Sequence, residues 1–341
     1  MTDTLFCPEC QYDRHDLCQN VLCNCTHKAP DKELSVSHSR VESFLRCRRQ
    51  EFYSYGRKLQ RKDTSTALAL GSAFHAVMDV LYSHVLSAGM SKQKQREAYP
   101  EAVEKALAKV DEIYEAGFVD SDKRAPLRLI IDKYLQREPF IDNAWREDDD
   151  RQWLIMAVEM EFRLEWEPGS SYPLVVDLIV KDPDGYVIVV DNKAVYDLYS
   201  YEKTELMAQI PKYIGALRAL GHKIGNYGVY NMVRTRPDTK AGRPLYEWAH
   251  FLPFEISGPR VVRSFEEQIT ASQEVAALDE LSPEERDRKA IRTDNFETCT
   301  RMCDFRELCV EELRGGSTTV LIKSIYMPKK KREVIEMTVA K

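Results

Sequence analysis

The sequence of 341 residues contains no apolar run as long as the roughly 18 residues that a membrane-spanning helix requires. Its first 30 residues also lack the layout of a secretory signal peptide, because polar residues and cysteines stand where the apolar region would be. We therefore expect a cytoplasmic protein that makes no contact with a membrane. With 43 % apolar and 30 % charged residues, the composition predicts a soluble chain with an ordinary core.

A strong net charge is missing too, since 49 basic and 55 acidic residues leave a formal charge of -6. That balance does not indicate nucleic-acid binding, but net charge is a weak guide when charges are segregated. Basic residues are concentrated in two places, the segment 46–62 and the run 329–332. Each of them is compatible with a solvated surface. The basic residues of segment 46–62, which holds the single acid Glu51, are Arg46, Arg48, Arg49, Arg57, Lys58, Arg61 and Lys62.

The nine cysteines are not scattered along the chain. Five lie within Cys7–Cys25, one is Cys47, and three lie within Cys299–Cys309. An odd number of cysteines without a secretion signal favours metal ligation over disulfide bonds.

Residues 1–30 hold too few apolar side chains for an independent core, and a zinc ion is the usual substitute inside a cell. Cys7 and Cys10 are the firmest pair of ligands. Because seven Cys and His residues exceed one tetrahedral site, the full ligand set stays open, and a disordered segment with free thiols is the alternative. The residues from which two or more further ligands would come are Cys18, Cys23, Cys25 and His27.

Two short apolar runs, separated by the turn sequence Asp-Pro-Asp-Gly, each end in an aspartate. The pattern predicts a β-hairpin in which Asp177 lies opposite Asp191, a register that also pairs Lys181 with Val187. Directly opposed residues share a face of the sheet, and Lys193 shares it because it follows Asp191 by two positions.

Opposed carboxylates repel each other unless a cation lies between them. Oxygen ligands suit a hard cation such as Mg²⁺, which makes a bound water more acidic. A neighbouring lysine can orient or deprotonate that water and offset charge that builds on phosphorus. Asp177, Asp191 and Lys193 therefore predict metal-assisted hydrolysis of a phosphodiester, although Asp-x-Lys alone occurs by chance in many chains.

Periodicity predicts a mixed α/β chain. Cys47 falls in the middle of the first helix and His75 beside the buried face of the second. Taken alone, both are most simply core or surface residues. The predicted elements are helices at 37–58, from Gly71 to about 137 and at 259–280, strands at 153–166, 226–234 and 245–255, and a linker at 281–287.

Gln209 and Tyr213 are four residues apart and so share one face of a helix. Pro211 lies between them, and proline is tolerated only in a first helical turn. Either the helix begins near Ala208 or it is kinked.

The last three cysteines, Cys299, Cys303 and Cys309, lack a fourth ligand nearby. Cys47 is the cysteine left over. A site of four thiolates could hold zinc or an iron–sulfur cluster, and it would tie the two ends of the chain together.

The order of these motifs resembles the RecB-like branch of the PD-(D/E)XK nucleases. More narrowly, it is similar to the iron–sulfur exonucleases, which include the CRISPR-adaptation exonucleases, the AddB nuclease domain and phage homologues. The resemblance covers about residues 35–311 and implies a restriction-endonuclease-like core, a mixed sheet flanked by helices with a helical insert. Residues 1–30 lie outside the resemblance and are expected, from their cysteines alone, to be a separate zinc-binding segment. Residues 312–341 are expected to be a basic C-terminal tail.

The resemblance also implies roles for single residues. A Mg²⁺ or Mn²⁺ ion would be held by His75, Asp177 and Asp191. Lys193 would be the catalytic lysine, with Gln209 and Tyr213 positioning DNA and the active site. The four ligands of a 4Fe–4S cluster would be Cys47, Cys299, Cys303 and Cys309.

The implied function is a metal-dependent DNA exonuclease in phage or prokaryotic recombination, repair or CRISPR-type adaptation. DNA phosphates would contact Arg46, Arg48 and Arg49 in a largely sequence-independent way. No Gly-x4-Gly-Lys-Ser/Thr loop is present, so unwinding would need a helicase or recombination protein as partner, and a homo-oligomer is possible. The alternatives are a non-catalytic DNA-binding or adaptor protein that retains the fold, and a structural zinc protein without a nucleic-acid role.

Overall fold

A computed structural model describes most of the chain between residues 34 and 329. The predicted zinc ligands Cys7, Cys10, Cys18, Cys23 and Cys25 lie outside the described residues, as does most of the basic run at 329–332. The described ranges are 34–62, 66–117, 124–141, 152–167, 170–235, 249–293 and 295–329.

A mixed six-stranded sheet forms the centre of the fold, with the strand order β1-β4-β5-β6-β7 and β3 paired to β4. The pairs β1–β4 and β5–β6 are parallel, and the other pairs are antiparallel. The strands are β1 Leu34–Ser35, β2 Leu59–Arg61, β3 Leu154–Glu167, β4 Ser170–Lys181, β5 Val187–Val195, β6 Tyr227–Arg234, β7 Ala249–Glu255 and β8 Tyr326–Pro328.

Helices flank this sheet, as the sequence predicts. Two π-helical turns, Phe52–Gly56 and Thr298–Met302, accompany the α-helices. The α-helices are α1 His38–Arg46, α2 Arg48–Glu51, α3 Thr66–Ser87, α4 Lys92–Glu115, α5 Arg124–Leu135, α6 Tyr201–Leu206, α7 Gln209–Ala219, α8 Gly258–Leu278, α9 Pro283–Lys289, α10 Arg306–Leu313 and α11 Thr319–Ile325. Within the described ranges, none of them combines the length and the apolar character needed to cross a bilayer.

Two hydrophobic layers hold the helices to the sheet. Helices α3 to α5 cover one face, where Phe74 and Ile131 pack with Val180 of β4. Helices α7 and α8 cover the other face, where Ile214 packs with Val189 of β5. Each fully buried aliphatic side chain contributes about 1.5–3 kcal/mol, so these layers fix the strands that carry the polar residues described below.

The first helix is not continuous, which corrects the prediction of one helix over 37–58. Cys47 has an extended backbone with φ -163° and ψ 114°. Its N–H still closes α1 by donating to Ser43 O at 2.9 Å, and its carbonyl accepts from Glu51 N in α2. Cys47 therefore lies at a break between two helices and not in the middle of one.

Two further boundaries differ from the sequence-based prediction. Gly71 lies inside α3 and does not open it, because the helix already begins at Thr66. The predicted linker at 281–287 is mostly helix α9. Its start is stabilised by a capping box in which Ser282 and Glu285 exchange side-chain and backbone hydrogen bonds.

A small lobe joins the first helices to the end of the described chain. Strand β8 pairs antiparallel with β2. Tyr53, Phe305, Leu308 and Tyr326 form its separate core. Residues 312–329, predicted as part of a tail, thus fold back onto this lobe in α11 and β8.

Candidate active site

The strands β4 and β5 separate at Asp177 and Asp191, and we call this point the fork. The register of the β4–β5 hairpin pairs Lys181 with Val187, as the sequence predicts, and the ladder ends with Leu178 opposite Val190. Asp177 and Asp191 are the next residues. From here β5 continues along β6, while no strand in the described part of the chain pairs with 172–177 of β4 along that edge.

Asp177 is held by the backbone of the neighbouring strand. Its Oδ2 accepts a hydrogen bond of 2.8 Å from the N–H of Asn192 and lies 3.6 Å from Nδ1 of His75. Burial raises the pKa of Asp177 to about 7, and the charge of Asp191 adds to the rise while His75 opposes it. Without a cation, Asp177 is therefore half protonated near neutral pH.

Asp191 is 1 % exposed and forms an ion pair with Lys193. The lysine Nζ donates to Oδ1 at 3.1 Å and also lies 2.8 Å from Oδ2. The contact to Oδ2 lacks hydrogen-bond geometry, so this buried oxygen accepts no hydrogen bond from any described residue. Burial is the largest single influence and lowers the pKa of Lys193, but the charge and hydrogen bond of Asp191 together with the charge of Asp177 outweigh it, so the net pKa is raised.

A chain of hydrogen bonds leads from Lys193 into helix α7. Lys193 Nζ donates to Gln209 Oε1 at 2.8 Å, and Gln209 Nε2 donates to the hydroxyl of Tyr213 at 3.1 Å. The helix begins at Gln209, so Pro211 falls in its first turn and causes no kink. Burial and the charge of Asp191 raise the pKa of Tyr213, which keeps the phenol protonated.

His75 projects from α3 beside the buried Phe74 and reaches the same fork. Its Nδ1 lies 3.7 Å from Oε1 of Glu159 on β3. Burial lowers the pKa of His75, but Glu159 and Asp177 raise it more, so the net pKa is above the usual value. Among the described residues, His75, Glu159 and Asp177 are the group whose ligand atoms all lie within 4.8 Å of one another.

Glu159 is the site residue that the sequence pattern does not predict. Alternation along β3 suggests only that Glu159 and Glu161 share a face. The structure gives Glu159 a left-handed backbone, with φ 44°, whereas Glu161 is exposed beside Arg163. The pairs on either side of it in the β3–β4 ladder, Val158–Leu178 and Met160–Val176, set Glu159 across from Asp177. A register shift between Glu165 and Glu167 means that counting back from the β3–β4 turn would miss this position by one residue.

These donors fit a hard divalent cation. One imidazole nitrogen and three carboxylates, one of which has a buried oxygen without a hydrogen-bond donor, are groups that such an ion takes up. Carboxylates this close would otherwise repel each other, and a cation removes that cost.

The basic segment is less available to DNA than the sequence suggests. Arg49 has a side chain only 9 % exposed and pairs with Asp287 and Glu312, so little of its guanidinium is open to a phosphate and its contact with DNA stays a prediction. Arg48 is 49 % exposed and stays a candidate, 3.8 Å from Glu274. Arg46, which is half-buried, also stays a candidate.

The four remaining cysteines come from distant parts of the chain to one lobe. Burial raises the pKa of the Cys303 thiol to about 11; a backbone hydrogen bond opposes this, and the charges of the other three cysteines reinforce it. The Nε of Arg292 donates to Cys309 Sγ at 3.0 Å, and Cys299 Sγ donates to the carbonyl of Thr293 at 3.4 Å.

Comparison with known proteins gives one informative match. The profile of the PD-(D/E)XK nuclease superfamily matches residues 35–310. A search of curated proteins finds no match. A solved structure titled "Crystal structure of SSO0001" aligns at 15 % identity over 68 % of this chain and 84 % of that chain, and its TM-score of 0.28 is too low to support an argument.

Proposed function

Because the chain belongs to the PD-(D/E)XK nuclease superfamily, whose members are metal-dependent, we propose that it is a DNA exonuclease that uses Mg²⁺ or Mn²⁺. The observation that carries the proposal is the fork, where Asp177, Asp191 and Lys193 meet beside His75. Exonuclease action, as opposed to internal cleavage, rests on the likeness of the motifs to the iron–sulfur exonucleases.

A divalent ion, when bound, would offset charge that builds on the phosphoryl oxygens and favour loss of a proton from the attacking water. His75, Asp177 and Asp191 would hold it. Asp191 Oδ2 breaks no hydrogen bond when it turns to the ion, although its 2.8 Å ion-pair contact with Lys193 Nζ has to lengthen.

Lys193 is oriented for a part in the reaction. Two of the three donors on its ammonium group are taken by Asp191 and Gln209, which leaves one for a phosphate oxygen or the attacking water. Tyr213 holds the Gln209 amide and thus the rotamer of the lysine. We assign Gln209 and Tyr213 as positioning residues and Lys193 as the group that meets the substrate.

The cysteine lobe is proposed to bind a 4Fe–4S cluster through Cys47, Cys299, Cys303 and Cys309. Four ligands around one zinc ion would have sulfurs about 3.8 Å apart, given Zn–S bonds of about 2.3 Å. No three cysteine sulfurs of the described residues lie within 4.8 Å of one another, a spacing that favours a larger group. Protein purified without oxygen should be brown, and colourless protein with stoichiometric zinc would contradict the cluster.

The test of the nuclease proposal compares linear and circular DNA. End-labelled single- and double-stranded DNA should be degraded with Mg²⁺ and protected by EDTA, while closed circles of the same sequence stay intact. Asp191→Asn should lose the activity. Cleavage of closed circles would contradict exonuclease action, and intact linear DNA with Mg²⁺, Mn²⁺ and a reconstituted cysteine site would contradict the nuclease.

A further inference from the structure

Three ligand atoms at the fork already approach the arrangement that an ion imposes. Nδ1 of His75 lies 3.6 Å from Asp177 Oδ2 and 3.7 Å from Glu159 Oε1. Ligands of Mg²⁺ stand about 2.1 Å from the ion, which puts neighbouring ligands about 3.0 Å apart and opposite ones about 4.2 Å apart. Small side-chain movements would bring all three atoms onto a common ion.

We propose that Glu159 is a further protein ligand of the divalent cation that His75 and Asp177 hold, an inference that rests on the proposed nuclease function. The sequence motifs supply only His75, Asp177 and Asp191 for this ion. Glu159 comes from β3, outside all of those motifs.

The position of Asp191 supports this assignment. Asp191 leans toward Lys193, and its oxygens are not part of the close three-atom group. Glu159 therefore provides the second carboxylate beside His75 and Asp177. Asp191 Oδ2 is buried and accepts no hydrogen bond, so Asp191 could join the same ion if its 2.8 Å contact with Lys193 lengthened. Four protein ligands would still leave two of six positions for water and a phosphate oxygen.

Position in the sheet gives a second argument. Glu159 lies between the pairs Val158–Leu178 and Met160–Val176, so the β3–β4 register places it across from Asp177. Its side chain is partly buried, at 25 % exposure, and not turned into solvent.

Glu159 could instead act only as a charge that holds His75. Asp79 provides the control, because it lies one turn after His75 on α3 and is close enough to feel the charge of Glu159. Its carboxylate accepts a hydrogen bond from Ser83 at 2.9 Å and does not belong to the three-atom group. If only the charge matters, removing it from either Glu159 or Asp79 should weaken Mn²⁺ binding. If Glu159 is a ligand, only the Glu159 variant should show a large loss of affinity.

The experiment is a titration of the full-length protein with Mn²⁺, followed by the EPR signal of free Mn²⁺. Thiolate sites should not interfere, because Mn²⁺ prefers oxygen and nitrogen ligands. Glu159→Gln should weaken binding at least about tenfold, as losing an interaction in a metal site does. Glu161→Gln, on the same strand, should bind as wild type, and Asp79→Asn should weaken binding much less. Glu159→Asp, which keeps the carboxylate, should fall between wild type and Glu159→Gln.

Wild-type affinity in Glu159→Gln would overturn the assignment, as would an equal loss in Asp79→Asn. Circular dichroism of the metal-free variants checks that each one folds. Cleavage of DNA by wild type, together with unchanged Mn²⁺ binding in Glu159→Gln, would leave the nuclease standing and remove the ligand. If Glu159→Gln weakened Mn²⁺ binding but the wild-type protein never cleaved DNA, Glu159 would stand as a ligand and the nuclease proposal would fall.

Discussion

At the scale of single residues, the fork concentrates features that cost stability. Glu159 has a left-handed backbone, a conformation that non-glycine residues adopt at a cost of about 1–3 kcal/mol. Asp191 is buried and the half-buried Asp177 is close enough for the two charges to oppose each other. Such costs persist where the surrounding structure enforces them, and they are typical of sites that bind or react.

Glu159→Gly should raise the free energy of unfolding of the metal-free protein by about 1 kcal/mol. Glycine removes the left-handed penalty and one of the repelling carboxylates. The matched change Glu161→Gly, at a residue with ordinary strand backbone, should lower the free energy of unfolding by about 0.5–1 kcal/mol. Urea denaturation measures both, and a loss of stability in Glu159→Gly as large as in Glu161→Gly would contradict the strain.

The pH dependence of stability has a definite sign at Asp177. Its pKa of about 7 in the folded chain exceeds the usual 3.8, so the folded state binds more protons than the unfolded state between these values. Stability of the metal-free protein should therefore rise as pH falls from about 7 toward about 4, by at most about 1.4 kcal/mol per pH unit from this group. The raised pKa of His75 acts in the same direction.

Asp177→Asn should flatten this dependence, because the amide does not titrate. Saturating Mg²⁺ should flatten it in wild type as well, since a cation takes the place of the proton. Thermal unfolding at a series of pH values measures the slope. An unchanged slope in Asp177→Asn would show that Asp177 keeps an ordinary pKa.

At the scale of elements, what the sequence predicts well is local. The β4–β5 hairpin forms in the predicted register because the Asp-Pro-Asp-Gly turn and the alternating apolar residues lie within a few positions of each other. Pro211 leaves two alternatives, a helix that begins near Ala208 or a kinked helix, and α7 takes the first because it begins at Gln209. Helix α9 could have been recognised from its capping box, Ser282 and Glu285.

What the sequence does not predict depends on distant partners. Arg49 appears as a free basic residue in the sequence, but it pairs with Glu312, which is 263 residues away. Glu159 gains its role only when β3 is placed against β4. The same holds for the lobe in which β2 meets β8, far beyond the range of any local pattern.

Arg49→Ala should lower the free energy of unfolding by about 2 kcal/mol, the value typical of hydrogen bonds to charged groups. Arg48→Ala, at an exposed residue, should change it by less than about 0.5 kcal/mol. In DNA binding we expect the order to reverse, because the Arg48 side chain is 49 % exposed and that of Arg49 only 9 %. Chemical denaturation measures the effect on the free energy of unfolding, and a DNA-binding assay at several salt concentrations measures the effect on affinity. Equal effects of Arg49→Ala and Arg48→Ala on the free energy of unfolding would contradict the buried ion pairs of Arg49.

At the scale of the whole molecule, the cysteine lobe links the beginning and the end of the described chain. The family match stops at residue 310, yet Tyr326 is buried in this lobe, stacks on Phe305 at 5.5 Å and donates to the carbonyl of Asp304. The segment after the match therefore supports the region that carries Cys303 and Cys309.

Tyr326→Ala should lower the free energy of unfolding by about 3–5 kcal/mol, because it removes a buried aromatic ring. The lobe should loosen first, so limited proteolysis should cut near residues 299–309 before it cuts the sheet. Val320→Ala, at a side chain exposed to 73 %, provides the control and should leave the pattern unchanged. A wild-type proteolysis pattern in Tyr326→Ala would show that residues 312–329 are dispensable for the lobe.

The most direct test of the central claim is the rate of a single turnover on end-labelled DNA in wild type and Lys193→Ala, with Mg²⁺ saturating. The fork geometry predicts that Lys193→Ala folds, keeps its affinity for Mn²⁺ and DNA, and cleaves at least about 10²-fold more slowly, the loss that follows removal of one group that stabilises the transition state. Cleavage by Lys193→Ala at the wild-type rate would contradict the assignment of the fork of β4 and β5 as the active site.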